Sequence, residues 1–197
     1  MGSRCDHGPV AIGVYPGSFN PPTVAHLAVA EAAVRQCGLY RVDLALSRHT
    51  LGKPDLGPDD LPARRAALAA LAASRPWLGV LVTDERLVAD IARGYDVVVM
   101  GADKLAQIVD PVWYGADPAA RDAALARLPR VAVAPRASAV LDPASLPPGA
   151  VVLEVHPDHH DVSATGVRAG RHEWLAPGVD GDRRAHDDVI HGRPLDT

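Results

Sequence analysis

The chain has 197 residues and is 48% hydrophobic, which gives one domain a real core and excludes a disordered polymer. Its formal charge of −4 excludes the clustered cations that nucleic-acid binding needs, but leaves isolated phosphates on a small ligand open. No apolar run reaches about 18 residues, no signal peptide is visible, and Cys5 and Cys37 have neither metal nor redox spacing, so a soluble protein of the cytoplasm, without membrane contact, is expected.

Residues 10–15 read as a first strand. The stretch from His26 to Cys37 is Ala-rich with Leu27, Ala30 and Val34 on one face, which predicts a helix closed by Gly38. Residues 42–46 form a second strand, and 48–60 a polar loop with Gly52, Pro54, Gly57 and Pro58. A second helix follows over 61–74, with Pro62 in its first turn, and a short strand over 79–82. Residues 84–93 are expected to be helical, capped by Thr83 or Asp84 and ended by Gly94. "DVVVM", 96–100, has the continuous apolar character of a strand buried on both faces. "GADKLAQI" opens another helix, 118–128 is helical, and 131–134 and 151–155 are strands. "SATGVRAG" begins a final helix. The domain is expected to span 1–177, and the charged stretch 178–197 to form a loose tail or an oligomer arm.

Alternating strands and helices imply a mostly parallel sheet with helices on both faces. Ligands of such sheets sit outside the carboxyl ends of the strands. Loops 16–25, 48–60, 101–104 and 156–165 should therefore share one crevice, reached by His26, Lys53, Asp103, Lys104, Thr165 and Arg168. Lys53 and Lys104 are the two lysines of the chain. The loop after the first strand, "GSFNPPTVAH", matches neither G-x-G-x-x-G nor G-x-x-x-x-G-K-[ST], since Pro54 follows Gly52-Lys53.

This loop and the later "VSATGVR" together resemble the nucleotidyltransferase superfamily whose signature is a His-x-Gly-His loop and an Ile-Ser-Ser-Thr-x-x-Arg loop. Thr23 stands for the first His, Ala25 for the Gly and Ala164 for the second Ser. Thr at the first position also occurs in phosphopantetheine adenylyltransferases and in eukaryotic-type nicotinamide mononucleotide adenylyltransferases. "GADKLAQIVDPVW" is similar to the Gly-Ala-Asp loop of the pyridine mononucleotide branch, whereas "ERLVADIARGYDVVVM" looks more like the phosphopantetheine branch. The resemblance implies an α/β, Rossmann-like fold and transfer of AMP from ATP to a phosphorylated acceptor. That acceptor is a nicotinamide or nicotinate mononucleotide of NAD biosynthesis, or alternatively phosphopantetheine. A nucleotide-binding protein that has lost catalysis would fit Thr23 and Ala25, but His26, Lys53, Thr165 and Arg168 are retained.

Such a transfer needs no general base, because the attacking phosphate is already ionised; the task is positioning and charge stabilisation. The resemblance assigns the catalytic contacts to His26, Thr23, Lys53 and Arg168. ATP falls to Gly17, Ser18, Phe19, His26, Gly101, Asp103, Ser163, Thr165 and Arg168, and the acceptor to Ser18, Lys53 and Trp113. Thr23 has a second reading as a helix cap, Asp103 as a cap of the next helix, and Trp113 as core. Mg²⁺ is expected to arrive with ATP, held by phosphates and water. "HPDHHD", 156–161, lacks a helical His pair or a Cys partner and reads as a polar loop.

Overall fold

A computed structural model of the chain describes residues 10–49, 60–137, 141 and 146–179. The first strand, β1 (Ile12–Pro16), hands over to α1 (Val24–Cys37), which ends at Gly38 in the left-handed conformation, φ 66°. There follow β2 (Arg41–Ser47), α2 (Asp60–Ala73), β3 (Leu78–Thr83) and α3 (Val88–Ile91). The second half runs β4 (Val97–Gly101), α4 (Ala102–Ile108), a 3₁₀ turn at Pro111–Tyr114, α5 (Pro118–Leu125), β5 (Arg130–Ala134), β6 (Val151–Val152) and α6 (Ala164–Arg168). A 3₁₀ turn at His172–Trp174 follows α6. No helix among the described residues is long and apolar enough to cross a membrane.

Among the described residues six strands form one parallel sheet, in the order β3-β2-β1-β4-β5-β6. The chain winds outward from β1 to β3, then returns past β1 to β4, so the sheet has its switch point between β1 and β4. Alternating side chains feed two cores. Tyr15, Leu44, Val97 and Val99 pack with Val29 and Ala33 of α1 and Leu68 and Leu71 of α2. Val14, Ala45, Val98 and Met100 pack on the other face with α3 and α4 through Ile91, Leu105 and Ile108. This two-sided burial explains why β4 reads as an unbroken apolar run.

Asp43 is the charged exception, buried in β2. Arg41 Nε lies 2.7 Å from its Oδ1, and the Tyr95 hydroxyl donates to its Oδ2 at 2.9 Å. The carboxylate packs against β3 at Gly79, where any Cβ would overlap it.

Several elements differ from the sequence prediction, among them α5, which stops at Leu125 rather than at 128. The helix expected over 84–93 is confined to Val88–Ile91 and is capped by neither Thr83 nor Asp84. Instead Thr83 Oγ1 accepts the Glu85 N–H in a local turn, the Glu85 carbonyl accepts from Ser47 Oγ at 2.6 Å, and Asp84 pairs with Arg48. The last strand stops at Val152 because Gln36 of α1 takes over the pairing, accepting from Glu154 N and donating to Glu154 O, both at 2.9 Å. The final helix has five residues, so Arg168, expected in its first turn three residues after Thr165, sits at its end. The loop expected over 48–60 is described only at its two ends, and the tail expected over 178–197 only at 178 and 179.

Candidate active site

At the switch point the carboxyl ends of the strands enclose a crevice of about 330 Å³, within the usual range for small-molecule sites. Its floor is the β1–α1 loop. Gly17 has to be glycine, since a Cβ there would come within 2.7 Å of the Phe19 ring. Phe19 itself has φ 40°, a left-handed backbone that costs an ordinary residue about 1–2 kcal/mol. Its ring is 1% exposed and meets Tyr15 and His26 edge-on at 5.7 and 5.0 Å, and that burial offsets the strain.

His26 is oriented by the residue that caps its own helix. Its Nδ1 receives the Thr23 backbone N–H at 2.9 Å and lies 2.9 Å from the Thr23 hydroxyl. An accepting ring nitrogen carries no proton, so the neutral imidazole holds its proton on Nε2 and is a donor there. Thr23 Oγ1 in turn accepts the His26 N–H, closing a capping box in which histidine stands where Glu or Gln is usual. Thr23 is fully buried and is not part of the crevice lining; its hydroxyl is directed to His26 rather than to a phosphate.

The opposite wall comes from α6. Ser163 caps it through the Gly166 N–H at 3.1 Å, and Ser163, Thr165 and Arg168 all line the crevice. Arg168 folds back on Thr165 Oγ1 at 3.0 Å and donates to the Asn20 carbonyl, tying α6 to the first loop. A strap after α6 completes the junction. The Trp174 ring covers Gly166 so closely that no Cβ fits, and Arg171 stacks over that ring at 5.0 Å. Ala176 N donates to Pro22 O at 3.1 Å, and Leu175 bridges Thr23.

Gly101 and Asp103 complete the junction of β4 and α4. Asp103 is not the cap of α4; that position is Gly101, and Asp103 stands in the first turn, 3.8 Å from Arg136 Nε. Arg136 follows β5, donates to Val162 O at 2.7 Å and lines the crevice. Burial pushes the Tyr15 phenol beneath it up to about 12, against the opposing pull of the Arg136 charge. Arg64 of α2 reaches the Ser18 carbonyl at 3.4 Å from the far side of the loop. Its pKa is lowered by burial, partly countered by Asp60, and lowered further by the like charge of Arg168.

The structure thus brings Gly17, Ser18, His26, Gly101, Asp103, Ser163, Thr165 and Arg168 to one crevice. Phe19 and Thr23 lie beneath it, and Lys53 falls outside the described residues. Trp113, on the 3₁₀ turn capped by Asp110, does not line it. The sequence reading missed Arg136, Arg86, Ser47, His49 and Gln107, which do. The signal for the first four was available, since each ends or closely follows a strand at its carboxyl end. In a chain of net charge −4, four cations, Arg86, Lys104, Arg136 and Arg168, face the single carboxylate Asp103 among the described lining residues. Among the described residues no group of three His, Cys, Asp or Glu is arranged to hold a metal, the 156–161 loop included.

A cationic crevice at the switch point of a doubly wound sheet, taken with the family match, identifies the class as a nucleotidyltransferase. The chain belongs to the cytidylyltransferase-like family, whose model matches residues 14–170. Its fold is similar to that of Plasmodium falciparum nicotinic acid mononucleotide adenylyltransferase complexed with NaAD, with TM-score 0.59, 12% identity, and 87% of this chain and 93% of that chain covered. The same enzyme complexed with APC gives TM-score 0.56 and 13% identity over 82% and 83% of the two chains. No curated protein matches the chain in sequence.

Proposed function

We propose that this nucleotidyltransferase moves AMP from ATP to the phosphate of a pyridine mononucleotide, nicotinate or nicotinamide, and releases pyrophosphate. The observation that carries the reading is the junction of the 17–26 loop with α6, which turns His26, Thr165 and Arg168 toward one cationic space. An acceptor phosphate oxygen attacks the α-phosphorus of ATP, the bond to the bridging oxygen breaks, and pyrophosphate leaves with that electron pair. His26 Nε2–H donates to the charge that builds on the transferring group, and Arg168 and Arg136 hold the polyphosphate. Asp103 receives a ribose hydroxyl, and Lys53 meets the acceptor phosphate.

The donor set, with one carboxylate among the described lining residues, fits a Mg²⁺ held by phosphates and water rather than by a protein cage. Bound so, Mg²⁺ would neutralise charge on the departing pyrophosphate. The setting is the cytoplasm, where ATP is supplied. The pyridine ring would find its apolar wall at Val88 and Ile91 rather than at Trp113. Because Trp113 stands off the crevice, phosphopantetheine is kept as the second reading.

The test is pyrophosphate release with ATP or CTP against nicotinate mononucleotide, nicotinamide mononucleotide and phosphopantetheine. Release with ATP and a pyridine mononucleotide is expected. Release with phosphopantetheine alone, or with CTP in place of ATP, would replace the reading.

A further inference from the structure

The sheet order divides the crevice into two halves. Asp103, Arg136, Thr165 and Arg168 lie on the β4–β5 side; Ser47, His49, Arg86 and the α3 residues Val88 and Ile91 lie on the β2–β3 side. Under the proposed function ATP occupies the first half and the acceptor the second. Arg86 is the cation that this acceptor half draws from the loop after β3. It is exposed, it lines the crevice, and it has no hydrogen-bond or ion-pair partner among the described residues. Of the two carboxylates that precede it, Asp84 is engaged by Arg48 at 3.3 Å, and neither Asp84 nor Glu85 lines the crevice.

Position decides what Arg86 can contact. β3 is two strands from β1, and neighbouring strands lie about 4.8 Å apart, so the β3 end is roughly 10 Å from the loop that carries Ser18. That is close to the span of a mononucleotide from its phosphate to the far edge of its base. An acceptor whose phosphate meets the 17–26 loop therefore brings its distal end to Arg86, with Val88 and Ile91 against its apolar body. A guanidinium gains most from a carboxylate, which it can grip with two parallel N–H bonds. A neutral amide offers it one acceptor and leaves the pyridinium charge of the ring unbalanced, whereas a carboxylate on the same ring balances that charge.

We propose that Arg86 is a specificity-determining residue that selects an acceptor bearing a carboxylate at the end remote from its phosphate. The proposal rests on the reading of the crevice as a site of transfer to a phosphorylated acceptor. Within the pyridine series it assigns nicotinate, not nicotinamide, mononucleotide.

The experiment compares kcat/KM with ATP for two pairs of acceptors, in the wild type and in Arg86→Gln and Arg86→Lys. One pair is nicotinate and nicotinamide mononucleotide. The other is phosphopantothenate, which ends in a carboxylate, and phosphopantetheine, which does not. The wild type is expected to prefer the acid at least tenfold in whichever pair it uses. Arg86→Gln is expected to cost the acid at least fivefold more than its neutral partner, and Arg86→Lys to restore part of the difference. Equal losses on both members of the pair, or a wild-type preference for the neutral member, would overturn the proposal. Turnover of both pyridine mononucleotides without preference overturns it and leaves the pyridine reading standing. Turnover of phosphopantothenate alone, lost selectively in Arg86→Gln, upholds it and removes the pyridine reading. If no acceptor is turned over, calorimetric titration of nicotinate mononucleotide into wild type and Arg86→Gln decides, and equal or absent binding overturns it.

Discussion

The two segments that face the crevice solve one positioning problem in opposite ways. The loop 17–26 opens a helix of 14 residues, whose inner face is buried against the sheet, and His26 is fixed from within by the Thr23 cap. The segment 163–168 opens a helix of five residues, which is too short to hold itself. It is held from outside, by the Trp174 ring on Gly166, by the strap to Pro22 and Thr23, and by Arg168 on Asn20. The first segment owes its precision to local sequence; the second owes it to tertiary contacts. Under the proposed function its phosphate contacts would accordingly rest on Arg168 and Arg136 as side chains more than on a helix dipole, which is small over one turn.

The sharpest break of this contrast is His26→Ala. It removes a pre-oriented donor from a helix that remains packed, so turnover should fall roughly 10²-fold or more while thermal unfolding shows the fold intact. A folded variant with unchanged turnover would remove His26 from the chemistry. Arg168→Ala comes next. It takes away both a phosphate contact and the tie to Asn20, so ATP binding should weaken about tenfold or more, and AMP binding less. Calorimetric titrations with equal losses for the two nucleotides would place Arg168 away from the β- and γ-phosphates.

Gly166→Ala sharpens the external half of the comparison. In a free helix the change would stabilise by about 1 kcal/mol. Here the new methyl meets the Trp174 ring, so KM for ATP should rise several-fold, and a second change, Trp174→Leu, should return part of it. Additive losses in that cycle would show that the strap does not position α6.

The smallest effect on turnover at neutral pH concerns the ground under the first loop. Burial, for Tyr95 together with its bond to Asp43, pushes Tyr15 and Tyr95 up to about 12 from an ordinary 10. The folded state therefore holds these protons longer than the unfolded chain does. Its stability should be unaffected below about pH 10 and be lost progressively as pH rises from 10 through 12. Chemical unfolding measured across that window tests this, and Tyr95→Phe should leave the Tyr15 share. A flat profile to pH 12 would mean that neither phenol is held as described.

The contrast also explains what could be read from the chain. The β1–α1 joint was legible because its determinants are neighbours in sequence: Thr23, His26 and the Gly38 stop all act within their own helix. The buried run of β4 and the parallel order of alternating elements were legible for the same reason. The helix expected over 84–93 and the strand expected over 151–155 failed where distant residues intervened. Ser47 and Arg48 hold 84–85 out of a helix, and Gln36 replaces a strand partner at Glu154. Arg136 and Arg86 carry no motif of their own; their one sequence signal is their place just after a strand, and strand order is what brings the ends of β5 and β3 to the crevice.

Under the proposed function an acceptor phosphate attacks the α-phosphorus of ATP in the crevice. Mass spectrometry of the products formed from ATP and a pyridine mononucleotide labelled with ¹⁸O on its phosphate tests it most directly. Attack by the acceptor phosphate gives a dinucleotide that keeps the label, one labelled oxygen now bridging the two phosphorus atoms, and unlabelled pyrophosphate. Label in the pyrophosphate, or ATP consumed with no dinucleotide formed, would contradict it.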